Sequence, residues 1–577
     1  MLTFPFLRLP REPRDAKYEA YLYDDQGLSY HYPSSQLRYA TQEKHPERVG
    51  LGLVCRAIAN EMQQVRLSTN CITFTPGLSD DGGDGVEFLG LRSKAGRFES
   101  LLQHVRVAKM YMLMLVAPCI IPTMLDQTTS RYPSVARWFR AVFRQLQKGF
   151  DGHIRPAYSL ESCYDSDVSC RYQYSAAFRD ALQYLLTLAR GGRNFEELAA
   201  QSCTTPIEGY GAAPFVSGSH DALLAWYPEQ WLIPSEHDLA LESRMSLPKR
   251  EKDGYDFEHP QLVDWYFSAT ALAIRFLEAL PTGRRRHVRN IVINEDRRGV
   301  GRSESHARGL VPYLLQNSVL RISINVNIWQ TFVPFIWTEH ELWGNDYKET
   351  LVDFESFLPT VAEWIVETSY ITATGLTSLT FIFDGNGPET QQVWENIKKA
   401  AALQEAMETS KTCGNGRKIE LGNVFSTRLR ALRALGIRER PVEENSIFLE
   451  ARLQIPSDLP RTFSAAIKDI VHGRGIIQFD GDAGDMWDMD QYAATRSKWS
   501  LQDFWTEWYN FRLYTDIPMP PGGAEAYFRQ YNRRSDRWKS SKEPLSSRAS
   551  ALIKVILVHR VPPLHKSPSK RQALRVK

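Results

Sequence analysis

The sequence predicts an α/β protein, or α+β, with a central βαβ unit. Three observations carry that expectation. In the stretch Arg286 to Trp329, Leu320, Ile322, Ile324, Val326 and Ile328 alternate with Arg321, Ser323, Asn325 and Asn327, the period of a half-buried strand. Val288 to Ile293 reads as a second apolar strand, and Ser303 and Glu304 open a helix between the two, as N-cap and first-turn carboxylate. Helical and strand patterns then keep alternating down the chain, as an α/β body requires. A strand, helix, strand unit of this length is expected to be parallel and right-handed, with Pro312 kinking or splitting the helix.

The chain has 577 residues, and 43% hydrophobic with 24% charged residues is ordinary for a globular protein. A net charge of +3 gives no global case for nucleic acid or acidic lipid as a partner. The seven cysteines include no C-x-x-C pair, which argues against zinc ribbons and thioredoxin-like sites. The start, MLTFPFLRLPREPR, lacks the features of a secretory signal, so an intracellular home, cytoplasm or nucleus, is expected. Met110 to Leu125 is the most apolar run, but it is short for a bilayer span and broken by Pro118 and Pro122. It reads as a buried strand leading into a loop.

In chain order, Leu9-Pro10 with Glu12 opens a short helix, because proline costs nothing in a first turn. Gly50 to Met62 has helical spacing, and Asn70, Thr73 and Phe74 begin a strand. Pro133 to Lys148 is amphipathic, with Val135, Trp138, Phe139, Val142, Phe143 and Leu146 inward and a basic stripe outward. Ser175 to Arg190 is a helix stopped by Gly191-Gly192. Pro260 to Leu280 is a mostly apolar helix. Phe354 to Ile365 forms a helix, Leu379 to Phe383 a strand, and Pro388 starts another helix. A helix through Leu429, Leu432 and Leu435, a strand from Ile447 to Ile455 and a helix from Phe463 to Val471 follow. Ser500 caps a last helix. No fixed-period repeat is present, which weighs against a regular leucine-rich or propeller array. The domain division expected is 1–75 as a helical segment, 76–540 as the α/β body and 541–577 as a basic, disordered tail.

Leu9, Pro10 and Glu12, then Tyr18 and Leu22, then Leu53, Val54, Cys55 and Arg56 resemble an F-box or F-box-like segment. With Asn70 and Phe74 following, the layout is similar to that of a large group of fungal proteins with such a segment at the N-terminus. The HPQLVDWY and HVRNIVINEDRR blocks also look like members of that group. Pro13 stands where an apolar anchor is usual, and the insert between Leu22 and Gly50 is long. The resemblance implies a helical platform docking on the Skp adaptor of a cullin ubiquitin ligase. Leu9, Pro10, Glu12, Tyr18, Leu22, Leu53, Val54 and Cys55 are then the partner-binding residues. The function expected is a protein-interaction adaptor; the alternative is a scaffold whose N-terminal helices only cap the body.

Catalytic and metal motifs are incomplete, so neither an enzyme nor a cofactor is expected. GYGAAP lacks the third glycine of a dinucleotide loop. Asp80 to Gly85 and the carboxylate run Asp480 to Asp490 both fail the EF-hand spacing. Ser219-His220-Asp221 are neighbours in sequence, whereas catalytic triads are assembled in space. The best remaining enzyme site is Glu295, Asp296 and His306, at the carboxyl end of a strand, where ligands sit in open α/β sheets.

Overall fold

The computed structural model describes residues 6–40, 51, 54–78, 93–136, 139, 175–204, 219–241, 265–332, 354–385, 387–413, 459–460, 462–487, 489–496, 499, 503 and 507. Its centre is a seven-stranded sheet in the order β2-β1-β3-β6-β7-β8-β9. The strands are β1 Leu28–His31, β2 Gln36–Tyr39, β3 Cys71–Phe74, β6 Asn290–Glu295, β7 Arg321–Val326, β8 Leu379–Phe383 and β9 Ile477–Phe479. β4 Gly77–Leu78 and β5 Tyr266–Phe267 form a separate antiparallel pair. Only the β1–β2 hairpin is antiparallel in the main sheet; every other pairing is parallel. The α/β expectation holds, and the βαβ unit is the β6–β7 step at its middle.

From β1 to β9 the order rises without a reversal. Right-handed crossovers that always step the same way place their helices on the same face. The packing agrees. Leu28, Ile72, Ile291, Ile322 and Leu379 lie in register across five strands and are all buried. From the same face Phe74 meets Phe276, Phe381 meets Trp364, Phe383 meets Phe332, and Phe479 stacks on Trp394 at 4.4 Å. The opposite face carries Thr73, Val292, Asn294, Ser323, Asn325 and Thr380, all half-buried. Asn325 donates to Asn294 Oδ1 at 2.8 Å across that face. The alternation read in the sequence is therefore literal: one face is core and the other is polar.

The helices that matter to function are α1 Arg11–Leu22, α2 Arg56–Thr69, α3 Lys94–Leu115, α4 Pro122–Arg131, α5 Ala176–Ala189, α6 Ala269–Ala279, α7 Phe354–Thr372, α8 Pro388–Cys413 and α9 Phe463–Val471. Ser93, Ser175 and Ser268 cap α3, α5 and α6 by accepting from a backbone N–H three residues on. None of the described helices is long and apolar enough to cross a membrane.

Three expectations change. Met110 to Leu125 is no strand: Met110–Leu115 is the end of the 22-residue α3, followed by a 3-10 turn and α4. Met110, Tyr111, Met112 and Leu113 are all buried, and a helix covered on every side leaves no 3.6-residue signature. In the described part of the Pro260 to Leu280 segment, from Trp265 on, the chain forms β5 and then α6, which starts only at Ala269 behind the Ser268 cap. As Pro312 led one to expect, the helix between β6 and β7 is split, a 3-10 segment Ser303–Leu310 joined to a short α-helix Val311–Gln316 with Pro312 in its first turn. Ile328 leaves the strand, because Asn327 accepts from Gln330 N and opens the short helix Ile328–Phe332. The boundary at residue 75 also falls within one sheet, since β3 pairs with β6. Most of Pro133–Lys148, the Leu429 to Leu435 helix, the Ile447 to Ile455 strand, most of the Ser500 helix, the GYGAAP and Asp80 to Gly85 segments and residues 541–577 lie outside the described residues.

Candidate functional site

Two places bring functional side chains together. The first is the N-terminal helical pair. α1 and α2 run in the same direction, tied at one end by Glu61 and at the other by Asn70. Glu61 accepts from Arg14 Nη2 at 2.8 Å and from the Tyr18 hydroxyl at 2.9 Å, with Arg11 Nη1 3.3 Å away. Burial works against its charge, but these donors outweigh it and hold the carboxyl below the usual range. Burial and the Glu61 bond push the Tyr18 phenol up to about 12. Asn70 is buried, donates to Leu22 O and Arg66 O, and accepts from Asp24 N. Tyr18, Leu22, Ile58, Met62 and Val65 form a small core of their own.

Of the residues singled out by the F-box resemblance, Tyr18 and Leu22 thus face inward. Pro10 and Glu12 are exposed, Leu9 and Cys55 half-buried, and Val54 is 66% exposed. Leu53 lies outside the described residues. Leu7, which sequence reading passed over, is 48% exposed beside this group. Arg14 Nη1 fixes that turn by donating to Leu7 O and Leu9 O. The pair is also anchored to the sheet. Leu67 of α2 enters the main core, and Arg66 donates to Leu37 O and lies over the Tyr39 ring.

The second place lies under the outer helices. Arg308, in the 3-10 segment after β6, donates through Nε and Nη2 to both oxygens of Glu367 on α7, at 2.6 and 2.9 Å. Its Nη1 reaches Asp180 Oδ2 on α5 at 2.7 Å, and the Tyr227 hydroxyl donates to Asp180 Oδ1. Burial works against the Arg308 charge, yet Glu367 and Asp180 together hold it firmly protonated. Burial pushes Glu367 upward, and the two bonds from Arg308 oppose that push. Lys109 on α3 is buried, donates to Gln183 Oε1 and Trp226 O at 2.7 Å, and is pushed down to about 7 by burial and by Arg179. The partners are far apart in sequence, so no local spacing could have shown this network.

The enzyme candidates come apart. Glu295 closes the N-terminus of α6, accepting from Thr270 N at 2.8 Å, Thr270 Oγ1 at 2.6 Å and Ala269 N at 3.3 Å. Burial pushes it up to about 7 while the Thr270 donors pull it back. His306 is bonded elsewhere, to Ser268 Oγ at 2.6 Å and Gly301 O at 2.9 Å. A carbonyl only accepts, so Nε2 carries the proton and Nδ1 takes the serine hydroxyl. Gly301 has φ +77, and a Cβ there would sit 2.2 Å from Gln230 O, so this loop closes tightly over the histidine. Ser268, Glu295 and His306 are 0–1% exposed and bind structural groups, not a shared cleft. Asp296 is half-buried alongside Arg297.

Ser219, His220 and Asp221 form no triad either. Ser219 caps a short helix, and His220 Nε2 meets Glu196 at 2.5 Å. Glu196, His220 and Asp221 converge closely enough for a cation, but Arg190 already pairs with Asp221 at 2.6 Å and Glu196 at 3.7 Å. Among the described strands the order reverses only at β1, between β2 and β3, and there the step to β2 is an antiparallel hairpin rather than a crossover helix, so it does not make the two-faced crevice where open α/β sheets hold their ligands. No protein-family model, curated protein or solved structure matches the chain.

The buried histidine yields a pH prediction. Burial is the main cause that pushes His306 from 6.5 down to about 4, so the unfolded chain binds its proton more tightly. Stability from this group is present above about pH 6.5 and is lost as pH falls toward about 4, by at most about 3 kcal/mol. Glu295 works with the opposite sign, its raised value costing stability as pH rises from its ordinary range toward about 7. Comparison with a His306→Gln variant isolates the histidine. Urea midpoints of the wild type are expected to fall between pH 7 and pH 4.5 by more than those of the variant. Equal falls would show that His306 does not titrate in this window.

Proposed function

We propose that this chain is a protein-interaction adaptor that engages a Skp-type adaptor of a cullin ubiquitin ligase through the outer end of its N-terminal helical pair. The observation that carries the reading is the exposure of two apolar side chains, Leu7 and Val54, each next in sequence to a residue, Phe6 or Cys55, that packs on the small core of the helical pair. Docking surfaces of this kind bury an apolar centre within a polar rim. Tyr18, Leu22 and Glu61 hold the two helices in one geometry rather than touching the partner. The α/β body then presents the protein to be modified.

Affinity capture of the full chain with purified Skp-type adaptor tests this. The wild type is expected to be retained, and Leu7→Asp with Val54→Asp to weaken capture at least tenfold. Leu315→Asp, equally exposed on the body, is expected to leave it unchanged. Absence of wild-type capture would remove the reading. A second reading, a scaffold whose helices only cap the sheet, is favoured by the entry of Leu67 into the main core. It predicts no capture by any variant.

A further inference from the structure

A cavity of about 360 Å³ lies between α5, Tyr132 just after α4, the segment Tyr227 to Trp231 and Arg308. That volume is at the small end of ligand pockets, which run from about 300 to 1,000 Å³. Much of its wall is aromatic: Tyr132, Tyr184, Tyr227 and Trp231. Tyr132 and Tyr184 meet edge to face, with ring centres 6.0 Å apart.

Among these rings stand two guanidinium groups, Arg179 and Arg308, and two carboxylates, Asp180 and Glu229. Asp180 has both oxygens engaged, one by the Tyr227 hydroxyl and one by Arg308 Nη1. Gln230 already accepts from Ser305 Oγ through its carbonyl oxygen. Arg308 has five N–H groups and places three of them on Asp180 and Glu367, which leaves two. Arg179 donates from Nη1 to Pro228 O, and its Nε is buried without an acceptor, 3.8 Å from Asp180 Oδ1. Glu229, exposed in the lining, is the remaining carboxylate there.

Cations also stand against the rings. Arg179 lies over Tyr227 at 4.1 Å, Lys109 faces the same ring at 5.4 Å, and Arg131 lies over Tyr184 at 4.7 Å. A ligand cation would meet ring faces already occupied and like charge behind them. A flat apolar body carrying an oxyanion meets aromatic walls, the Arg179 guanidinium and the two N–H groups that Arg308 leaves over, the pairing arginine suits best.

We propose that this cavity is a binding site for a small aromatic oxyanion, an aryl ring bearing a carboxylate or a phosphate. The proposal does not rest on the adaptor reading.

Calorimetric titration of the full chain with benzoate and phenyl phosphate tests it, with benzamide and benzylamine as comparisons. At least one oxyanion is expected to bind, and the amide and the amine to bind at least tenfold more weakly. Arg179→Gln is expected to reduce oxyanion binding at least tenfold. Arg179 also holds Pro228, so a second variant is needed that leaves that contact in place and gives up only the exposed Thr187 Oγ1 bond to Gln183 O. Thr187→Trp places a bulky side chain at an exposed lining residue and is expected to reduce binding similarly with an unchanged melting temperature. Three results would overturn the proposal: no binding of either oxyanion at millimolar concentration, benzylamine binding as tightly as they do, or full binding by Thr187→Trp.

Discussion

Deletion of residues 1–74 is expected to leave a remainder that does not stay soluble. The deletion removes β1, β2 and β3 along with the two helices. β6 loses the four-residue parallel ladder that covers its edge, Cys71 to Phe74 against Asn290 to Ile293. An exposed edge of that kind is a template for association. Leu28, Tyr30, Ile72 and Phe74 leave the main core, where Tyr30 and Phe74 pack on Phe276. At about 1.5–3 kcal/mol for each buried side chain, four of them contribute about 6–12 kcal/mol, comparable with the whole stability of an ordinary domain. Sedimentation of the expressed fragment and its thermal melt by circular dichroism measure this. A soluble fragment melting cooperatively near the full-length temperature would instead mark the segment as detachable.

The second large effect is expected at β7. Ile324 is 1% exposed and sits in register between Ile293 and Phe381. Ile324→Asp buries a carboxylate among aliphatic and aromatic side chains and is expected to cost several kcal/mol, enough to unfold most of the population at ambient temperature. Asn325, one residue on, points to the polar face and is half-buried. Asn325→Asp removes the donor to Asn294 Oδ1 and sets a carboxylate against that oxygen, a loss of about 1–2 kcal/mol. Urea midpoints of the two variants separate the faces. Equal losses would mean that both faces of the strand are dry.

Much of this architecture was legible because its signals are local. The β7 alternation, the Ser175 to Arg190 helix with its Gly191-Gly192 stop, and Pro388 at the head of α8 each specify their element within a few residues. α3 was missed because its second half is buried all round, which erases the helical period. The split helix was half legible: Pro312 marked the break, but the 3-10 turn before it depends on Ser305 N bonding Arg302 O. Glu295 and His306 were recognised as a concentration of titratable groups, yet their chemistry depends on Ser268 and Thr270, more than twenty residues upstream.

The sequence by itself determined the alternation of helix and strand, the parallel βαβ centre and the two-faced character of β7, because backbone period and capping act over single turns. It also marked the N-terminal segment, whose helix starts and apolar spacing are local. Tertiary structure alone decided that the segment shares its sheet with the body, since strand pairing joins residues more than two hundred apart. It alone turned Tyr18 and Leu22 inward while leaving Val54 outside. Arg308, Asp180, Glu367 and Tyr227 came together in the same way. Their meeting depends on how α5 and α7 pack, and at that junction burial drives Glu367 and Tyr227 up while the carboxylate partners hold Arg308 protonated.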